Sequence, residues 1–284
     1  MHKIARVVVV AAVFICMLPE AHSASPCTPT ETEFAFRQTA AGPLKVHVFS
    51  PPHHIKTPRP AIVIFHGGGW TMGDPSWAFG LVNRYACKGL VTIVAQYRLS
   101  DKKTATPADA VDDAMAAIRW VRTNATTLGL DPDRVAALGW SAGAHLAASA
   151  AIFAKDDDQR PSLLALVSPA VSVVDDGHFS SLFPLGTKTE NFSPAEHVGP
   201  SLPPTIIVTG RDDTVTPLRA VKKFHERMKA AGNVSELHVY DDVGHMFTPK
   251  GQSDSGFPNP DKAVRQRAYE AIDEFLIRQA YMAR

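Results

Sequence analysis

A serine, an aspartate and a histidine in this sequence have the types and the chain order that nucleophilic catalysis requires. Ser141 is the central residue of segment 139–143, Gly-Trp-Ser-Ala-Gly, which matches the pattern G-x-S-x-G. Asp212 or Asp213 follows it, and His245 comes last. A serine nucleophile needs a base, and the base needs an acid that orients it. These positions predict a triad in which Ser141 is the nucleophile and His245 the general base.

The surroundings of Ser141 are typical of a sharp turn between a strand and a helix. A predicted strand at 134–139, apolar after Arg134, leads into the motif, and an alanine-rich stretch at 142–154 leaves it. Such a turn exposes the serine Oγ, and a Cβ at either flanking glycine would clash with the tight backbone. The N-terminus of the following helix would lie beneath a developing negative charge. A plain turn of small residues is the alternative, and this context disfavours it.

A second motif, His-Gly-Gly-Gly-Trp at residues 66–70, directly follows the apolar run 61–65. Glycines leave backbone N–H groups uncovered, so a reacting oxygen can approach them closely. A loop of this HGGG type predicts an oxyanion hole, completed by the N–H of Ala142. We expect His66 to hold the loop through hydrogen bonds and not to act as a base. A nucleotide site is disfavoured because no Gly-Lys-Ser/Thr follows the glycines.

The acid and the base of the predicted triad each come just after an apolar run, at 205–209 and at 237–240. Parallel sheets place ligand chemistry at the carboxyl ends of their strands, so we expect both side chains at that edge. The other histidines weighed as a base lack this placement and are expected on the surface or in loops: His178, His197, His225 and His238. No H-E-x-x-H or paired C-x-x-C spacing indicates a metal site.

Apolar runs alternate with amphipathic stretches along most of the chain, which predicts a mostly parallel sheet with helices on both faces. Residues 31–49 alternate weakly around a turn at 41–43 and predict an antiparallel N-terminal hairpin. Strands are expected at 61–65, 90–95, 134–139, 163–167, 205–209 and 237–240, and helices at 76–88, 107–127, 142–154, 217–231 and 261–281. Residues 170–203 lack periodicity, which predicts a short lid or binding loop.

The first 23 residues have the pattern of an export signal. Lys3 and Arg6 precede an apolar run of 12 residues at 7–18, and Ala-His-Ser at 21–23 fits a cleavage site. The run is short for a membrane span, and an uncleaved anchor is the alternative. We therefore expect export to the periplasm or outside the cell, with residues 24–284 forming a single domain.

The composition narrows the class of partner. The chain has 284 residues, with 29 Lys and Arg against 28 Asp and Glu. This balance gives no reason to expect a nucleic-acid partner, and no apolar run after the N-terminus is long enough for a membrane span. Export makes a disulfide between Cys27 and Cys87 possible, with two free thiols as the alternative.

Taken together, these motifs resemble the α/β-hydrolase superfamily over residues 60–280. More closely they resemble its bacterial HGGGW carboxylesterases, near the hormone-sensitive-lipase-like esterases and exported acetyl- and feruloyl-esterase-like hydrolases. The resemblance rests on HGGGW at 66–70, QYRL at 96–99, DDA at 112–114, IRWV at 118–121, GLDPDRV at 129–135, GWSAG at 139–143, AHLA at 144–147, FSPA at 192–195, GRDD at 210–213 and GH at 244–245.

The resemblance implies an α/β-hydrolase fold and selects Asp213 over Asp212 as the triad acid. It also implies that Gly68 and Gly69 act with Ala142 as the oxyanion donors. Only about 40 mature residues precede His66, and the segment 170–203 is short for a full cap domain. Both departures from the longer hormone-sensitive-lipase-like pattern lead us to expect an open site.

The activity implied is hydrolysis of short-chain, acetyl-like or feruloyl esters through an acyl-enzyme on Ser141, with glycan-linked esters among the candidate substrates. No cofactor is required. We expect Trp70 and Tyr97 to contact the substrate. One alternative is an amide hydrolase, arylformamidase-like or peptidase-like, on the same triad. Another is a non-catalytic binding protein on a hydrolase fold, against which the intact triad argues.

Overall fold

The computed structural model describes residues 27–52, 58–174, 176–253 and 256–283, so the predicted export signal lies outside the described residues. Its eight strands are β1 (Thr30–Thr39), β2 (Gly42–Ser50), β3 (Arg59–Phe65), β4 (Val91–Ala95), β5 (Leu130–Trp140), β6 (Leu163–Val167), β7 (Thr205–Gly210) and β8 (Ser235–Tyr240). They form one sheet in the order β1-β2-β4-β3-β5-β6-β7-β8. The pairs β1/β2 and β2/β4 are antiparallel, and the others are parallel.

The helices are α1 (Phe79–Ala86), α2 (Pro107–Thr123), α3 (Ala125–Leu128), α4 (Ala142–Phe153), α5 (Gly177–Ser180), α6 (Leu218–Ala230) and α7 (Lys262–Arg278). Short 3₁₀ turns lie at Pro75–Ala78, Asp157–Gln159, Thr189–Phe192, Pro194–Glu196 and His245–Phe247. Among the described residues, none of these helices is long and apolar enough to cross a bilayer.

Helices cover both faces of the sheet, which explains why its central strands are apolar throughout. Helices α2, α4 and α6 pack on one face, and α1 and α7 pack on the other. Every residue of β4, β6 and β7 is buried. A strand that is buried on both sides has no solvent-facing positions, so its sequence does not alternate. The prediction of a mostly parallel sheet with an antiparallel N-terminal hairpin is confirmed.

Cys27 and Cys87 form a disulfide, with their Cα atoms 5.8 Å apart. The sequence left open a disulfide or two free thiols, and the structure contains the disulfide. Because Cys87 is the C-cap of α1, the bond fastens the chain ahead of β1 to the helix that packs under the sheet.

A buried ion pair connects the loop after β4 to α2. Asp113 is fully buried and accepts from Arg98 Nε at 2.8 Å and from Arg98 Nη2 at 2.9 Å. Arg37 of β1 reaches the same carboxylate at 2.9 Å. Since a buried charge must be paired, this cluster fixes the segment that runs beside the glycine-rich loop.

Candidate active site

Ser141 lies on the turn between β5 and α4 in a strained conformation, with φ 55° and ψ −121°. Its N–H donates to the carbonyl of Val167 at 3.0 Å, which holds the turn against the neighbouring strand. A Cβ at Gly139 would lie 2.2 Å from Gly143 O, and one at Gly143 would lie 2.1 Å from Phe65 O. Both glycines of the motif are therefore required by close backbone contacts, as the sequence indicated.

The structure brings Ser141, His245 and Asp213 into one hydrogen-bonded chain. Ser141 Oγ lies 3.1 Å from His245 Nε2, and His245 Nδ1 lies 3.0 Å from Asp213 Oδ2. With Nδ1 carrying the proton and donating it to the carboxylate, Nε2 is free to accept the serine proton. The acid and the imidazole are almost fully buried, whereas Ser141 is partly exposed.

Asp213 is held by its own loop. Its Oδ1 accepts from the N–H groups of Val215 and Thr216, at 3.0 and 2.7 Å, and the Thr216 hydroxyl lies 2.8 Å from Oδ2. Asp212 pairs instead with Lys250 at 3.3 Å. The geometry therefore selects Asp213 as the partner of the imidazole.

The loops that carry the acid and the base touch each other. Asp213 follows β7, and His245 follows β8, the next strand in the sheet. A Cβ at Gly210 would lie 2.3 Å from Gly244 O. A glycine is needed at this contact because the approach of the two backbones sets the distance between carboxylate and imidazole.

The loop 66–70 lies beside the start of α4. The ideal Cβ position of Gly143 is 2.4 Å from His66 O, which shows how close the two backbones run. The carbonyl of Gly68 accepts from Thr71 N and Met72 N, forming a tight turn. Within the described part of the chain, no group accepts a hydrogen bond from the N–H groups of Gly68, Gly69 or Ala142. The three predicted oxyanion donors thus remain available to a ligand.

His66 and Tyr97 support this loop from behind. The His66 Nδ1 donates to Gly67 O at 2.6 Å, and the ring stacks on Tyr97 with 4.4 Å between centroids. The Tyr97 hydroxyl donates to His66 O at 2.9 Å, and only 2% of Tyr97 is exposed. Burial lowers the pKa of His66. The predicted substrate contact of Tyr97 stays a prediction, and the observed contacts make it a support of the loop.

His145, which sequence reasoning passed over, joins three parts of the site. Trp70 Nε1 donates to its Nδ1 at 3.3 Å. Since indole only donates, Nδ1 is unprotonated, and Nε2–H donates to Phe192 O at 2.7 Å. The fully buried imidazole on α4 thereby ties the oxyanion loop to segment 170–203. Burial lowers the pKa of His145 to about 4.

Segment 170–203 also contacts the oxyanion loop directly. His178 is exposed, in agreement with its predicted surface or loop position, and its Nε2 donates to Gly69 O at 3.0 Å. The ring of Phe179 lies 4.7 Å from that of Trp70, centroid to centroid, and both rings are buried. Trp70 is thus enclosed, and its predicted contact with substrate stays a prediction. The segment covers one side of the site, as a lid or binding loop would.

No group of three or more His, Cys, Asp or Glu side chains among the described residues has the geometry of a metal site. The described site is therefore built from a serine, an imidazole, a carboxylate and backbone N–H groups. Such an arrangement suits transfer of an acyl group to a hydroxyl oxygen.

Comparison with known families gives two consecutive matches. The alpha/beta hydrolase fold family matches residues 62–192, and the dienelactone hydrolase family matches residues 186–279. The first range holds the oxyanion loop and the nucleophile, and the second holds the acid and the base.

Among curated proteins, carboxylesterase NlhH of Mycobacterium tuberculosis is 34% identical over 133 residues, which are 46% of this chain and 41% of that protein. Isoprenylcysteine alpha-carbonyl methylesterase ICME of Arabidopsis thaliana is 27% identical over 216 residues, 66% of this chain and 50% of that protein. The matched part of the chain thus spans half or less of the length of these two relatives.

Among solved structures, Thermogutta terrifontis esterase 2 in its apo form superposes with a TM-score of 0.78 at 30% identity, covering 89% of this chain and 96% of that one. Its tabun-phosphoramylated form also gives a TM-score of 0.78, at 31% identity over the same shares. The same esterase has been solved with propionate and with butyrate bound. From this similarity over nearly the whole of a solved esterase, and from the fold, the chain belongs to the carboxylesterases of the α/β-hydrolase family.

Proposed function

We propose that this protein is a serine carboxylesterase that acts through an acyl-enzyme on Ser141. The observation that supports it best is the hydrogen-bonded chain from Ser141 through His245 to Asp213. It lies at the sheet edge where three backbone N–H groups have no partner among the described residues.

In the first half of the reaction, His245 Nε2 takes the proton of Ser141 as Oγ attacks the ester carbonyl carbon. The carbonyl oxygen becomes an oxyanion that accepts hydrogen bonds from the N–H groups of Gly68, Gly69 and Ala142. Each donor of this kind typically contributes about 3 kcal/mol to the transition state. The tetrahedral intermediate collapses as the imidazolium returns its proton to the departing alkoxide, which leaves as the alcohol.

In the second half, water replaces the alcohol. His245 removes a proton from the water as its oxygen attacks the acyl-enzyme carbonyl. Collapse of the second tetrahedral intermediate breaks the bond to Ser141, and the imidazolium returns the proton to Oγ. Asp213 keeps the imidazole in the required tautomer and stabilises the imidazolium.

The proposed substrates are esters of short acyl groups, acetyl-like, or of feruloyl groups, including those attached to glycans. Support for short acyl groups comes from the propionate- and butyrate-bound forms of the similar esterase. The feruloyl and glycan parts of the proposal rest on the sequence resemblance. Action outside the cytoplasm is proposed from the signal-like pattern of the first 23 residues.

The test compares hydrolysis of p-nitrophenyl acetate, butyrate and octanoate and of methyl ferulate by wild type, Ser141→Ala and His245→Gln. His238→Gln is the matched control because His238 lies on β8 with its side chain 41% exposed. We expect activity on short or feruloyl esters that both site variants lose and the control keeps. Activity that survives in Ser141→Ala would contradict the assignment of the nucleophile. Folded wild type that hydrolyses none of the four esters would contradict the esterase itself.

A further inference from the structure

A cavity of about 430 Å³ lies between α1, α7 and the loop that precedes α7. Trp140 and Met246 are part of its wall. These residues are the chain neighbours of Ser141 and His245, and the Trp140 ring lies against the oxyanion loop, with its Cδ1 2.7 Å from the ideal Cβ position of Gly67. The cavity lies on the sheet face covered by α1 and α7, opposite the face that carries segment 170–203 and α6.

Aromatic rings form a large part of this cavity. Trp77, Trp140 and Tyr269 line it. Trp77 is 42% exposed, and its ring lies 5.6 Å from that of Phe257, which is 80% exposed. On its other side Trp77 contacts the ring of His66, behind the oxyanion loop, at 6.0 Å. An exposed indole in the wall of a cavity provides a stacking surface for a ring of the substrate.

The charged side chains of the cavity all have one sign. Arg84, Lys262 and Arg265 line it, and none of its described lining residues is an aspartate or glutamate. Arg84 is paired with Asp273, with Nη2 to Oδ2 at 2.8 Å. Lys262 and Arg265 are exposed, and neither forms an ion pair with a residue that the structure describes.

Asp261, the N-cap residue of α7, is already engaged. Asp261 caps the helix and accepts from Val264 N at 2.9 Å. The two remaining cations therefore give the cavity a positive potential that a carboxylate would complement.

We propose that this cavity binds a ring that bears a carboxylate, either the flat ring of an aromatic acid or the pyranose of a uronic acid, as one part of the ester substrate. The inference rests on the proposed esterase activity, because it assigns the cavity to the same reaction. The ring stacks on Trp77 and Trp140, and the carboxylate faces Lys262 and Arg265.

The test uses two matched pairs of esters. Phenyl acetate and 4-acetoxybenzoate differ by a carboxylate in the alcohol part, and methyl benzoate and monomethyl terephthalate differ by one in the acyl part. Each kcat/KM is divided by the rate of alkaline hydrolysis of the same ester, which removes the difference in intrinsic reactivity. The two pairs together show whether the cavity binds the alcohol part or the acyl part of the ester.

The key variant is Lys262→Gln/Arg265→Gln. Its control, Arg219→Gln/Lys222→Gln, removes the same charge from α6 on the opposite face of the sheet. In wild type we expect the carboxylated member of at least one pair to be preferred about tenfold, as two partly screened charge contacts allow. The key variant should lose the preference through KM and keep its activity on the neutral ester, and the control should keep both.

A direct binding measurement separates this inference from the esterase proposal. Calorimetric titration of Ser141→Ala with benzoate and with glucuronate tells the aromatic acid from the uronic acid, and the Lys262→Gln/Arg265→Gln change should abolish the binding. The inference is overturned if wild type prefers the carboxylated ester in neither pair and binds neither acid. It is also overturned if the α6 control loses the preference as much as the key variant does. Binding of either acid without hydrolysis of any ester would support the proposed role of the cavity and contradict the proposed esterase activity.

Discussion

Replacing His145 by phenylalanine is expected to destabilise the protein by an amount that depends on pH. The imidazole is fully buried, accepts from Trp70 Nε1 and donates to Phe192 O. A phenyl ring fills similar space but leaves both partners without a hydrogen bond. The change therefore tests the connection between the oxyanion loop, α4 and segment 170–203.

The expected loss of stability follows from those two hydrogen bonds and from the proton that His145 binds when the chain unfolds. An unsatisfied buried partner costs about 1–3 kcal/mol, so the variant should lose about 4 kcal/mol near neutral pH. Burial lowers the pKa of His145 to about 4 in the folded protein, whereas an unfolded histidine has a pKa of about 6.5. The unfolded chain thus binds the proton first as pH falls. The free energy of unfolding of wild type therefore falls by about 2–3 kcal/mol between pH 6.5 and pH 4.5 because of this residue. The phenylalanine variant has no titrating group at the position and does not show this fall.

The assay is urea unfolding of both proteins at pH 7.5 and pH 4.5 with the disulfide intact. The difference in stability should shrink by about 2–3 kcal/mol at the lower pH. His145→Gln keeps a donor for Phe192 O and does not titrate, so it should lose less stability than the phenylalanine variant while showing the same pH behaviour. His238→Phe, at an exposed position, should stay within about 0.5 kcal/mol of wild type. A difference between wild type and His145→Phe that is equal at both pH values would refute the reasoning.

Three further predictions concern the acid, the buried ion pair and the disulfide. Asp213→Asn should lower kcat on p-nitrophenyl acetate by about 10⁴ because the amide favours the wrong imidazole tautomer. Asp113→Ala should cost about 3 kcal/mol in urea unfolding, since it leaves the partly buried Arg98 without its main partner. Cys27→Ser/Cys87→Ser removes a covalent link across 60 residues, and the loop entropy of the unfolded chain predicts a loss of about 4 kcal/mol.

Each of these three has an internal control. Asp212→Asn removes the neighbouring carboxylate and should leave kcat nearly unchanged, so an equal loss would transfer the acid role to Asp212. Asp109→Ala removes a half-exposed partner of Arg98 and should cost much less than Asp113→Ala. For the disulfide, reduced wild type and the double serine variant should unfold at the same urea concentration, and different midpoints would contradict the account.

Most of the sheet could be predicted from the sequence because buried parallel strands are continuous apolar runs. The strand Leu163–Val167 occupies the predicted residues without change. The helix predicted at 107–127 instead ends at Thr123, and a separate short helix follows. Asn124 accounts for the break, since its side-chain Nδ2 donates to Trp120 O at 2.8 Å and competes with the helical pattern. Apolar periodicity continues across such a cap, so it does not reveal the end of the helix.

The arrangement of the triad could be predicted from the sequence for a similar reason. Ser141, Asp213 and His245 each follow a strand of the parallel sheet. The topology therefore brings their side chains to one edge whatever the sequence distance between them. No comparable rule predicts the contacts of His145. Its two partners lie 75 and 47 residues away along the chain, and only the packing of loop 66–70 and segment 170–203 on α4 brings them into contact.

The same packing explains why segment 170–203 has no periodicity in the sequence. Its rings contact one another in series, Phe179 to Phe183 at 5.1 Å and Phe183 to Phe192 at 4.7 Å, and do not lie along one face of a helix or strand. The series begins at Trp70, whose ring is 4.7 Å from Phe179. Order in this segment therefore depends on Trp70 of the oxyanion loop and on His145 of α4. A substitution at either position should change the oxyanion loop and segment 170–203 together, because one set of contacts holds both.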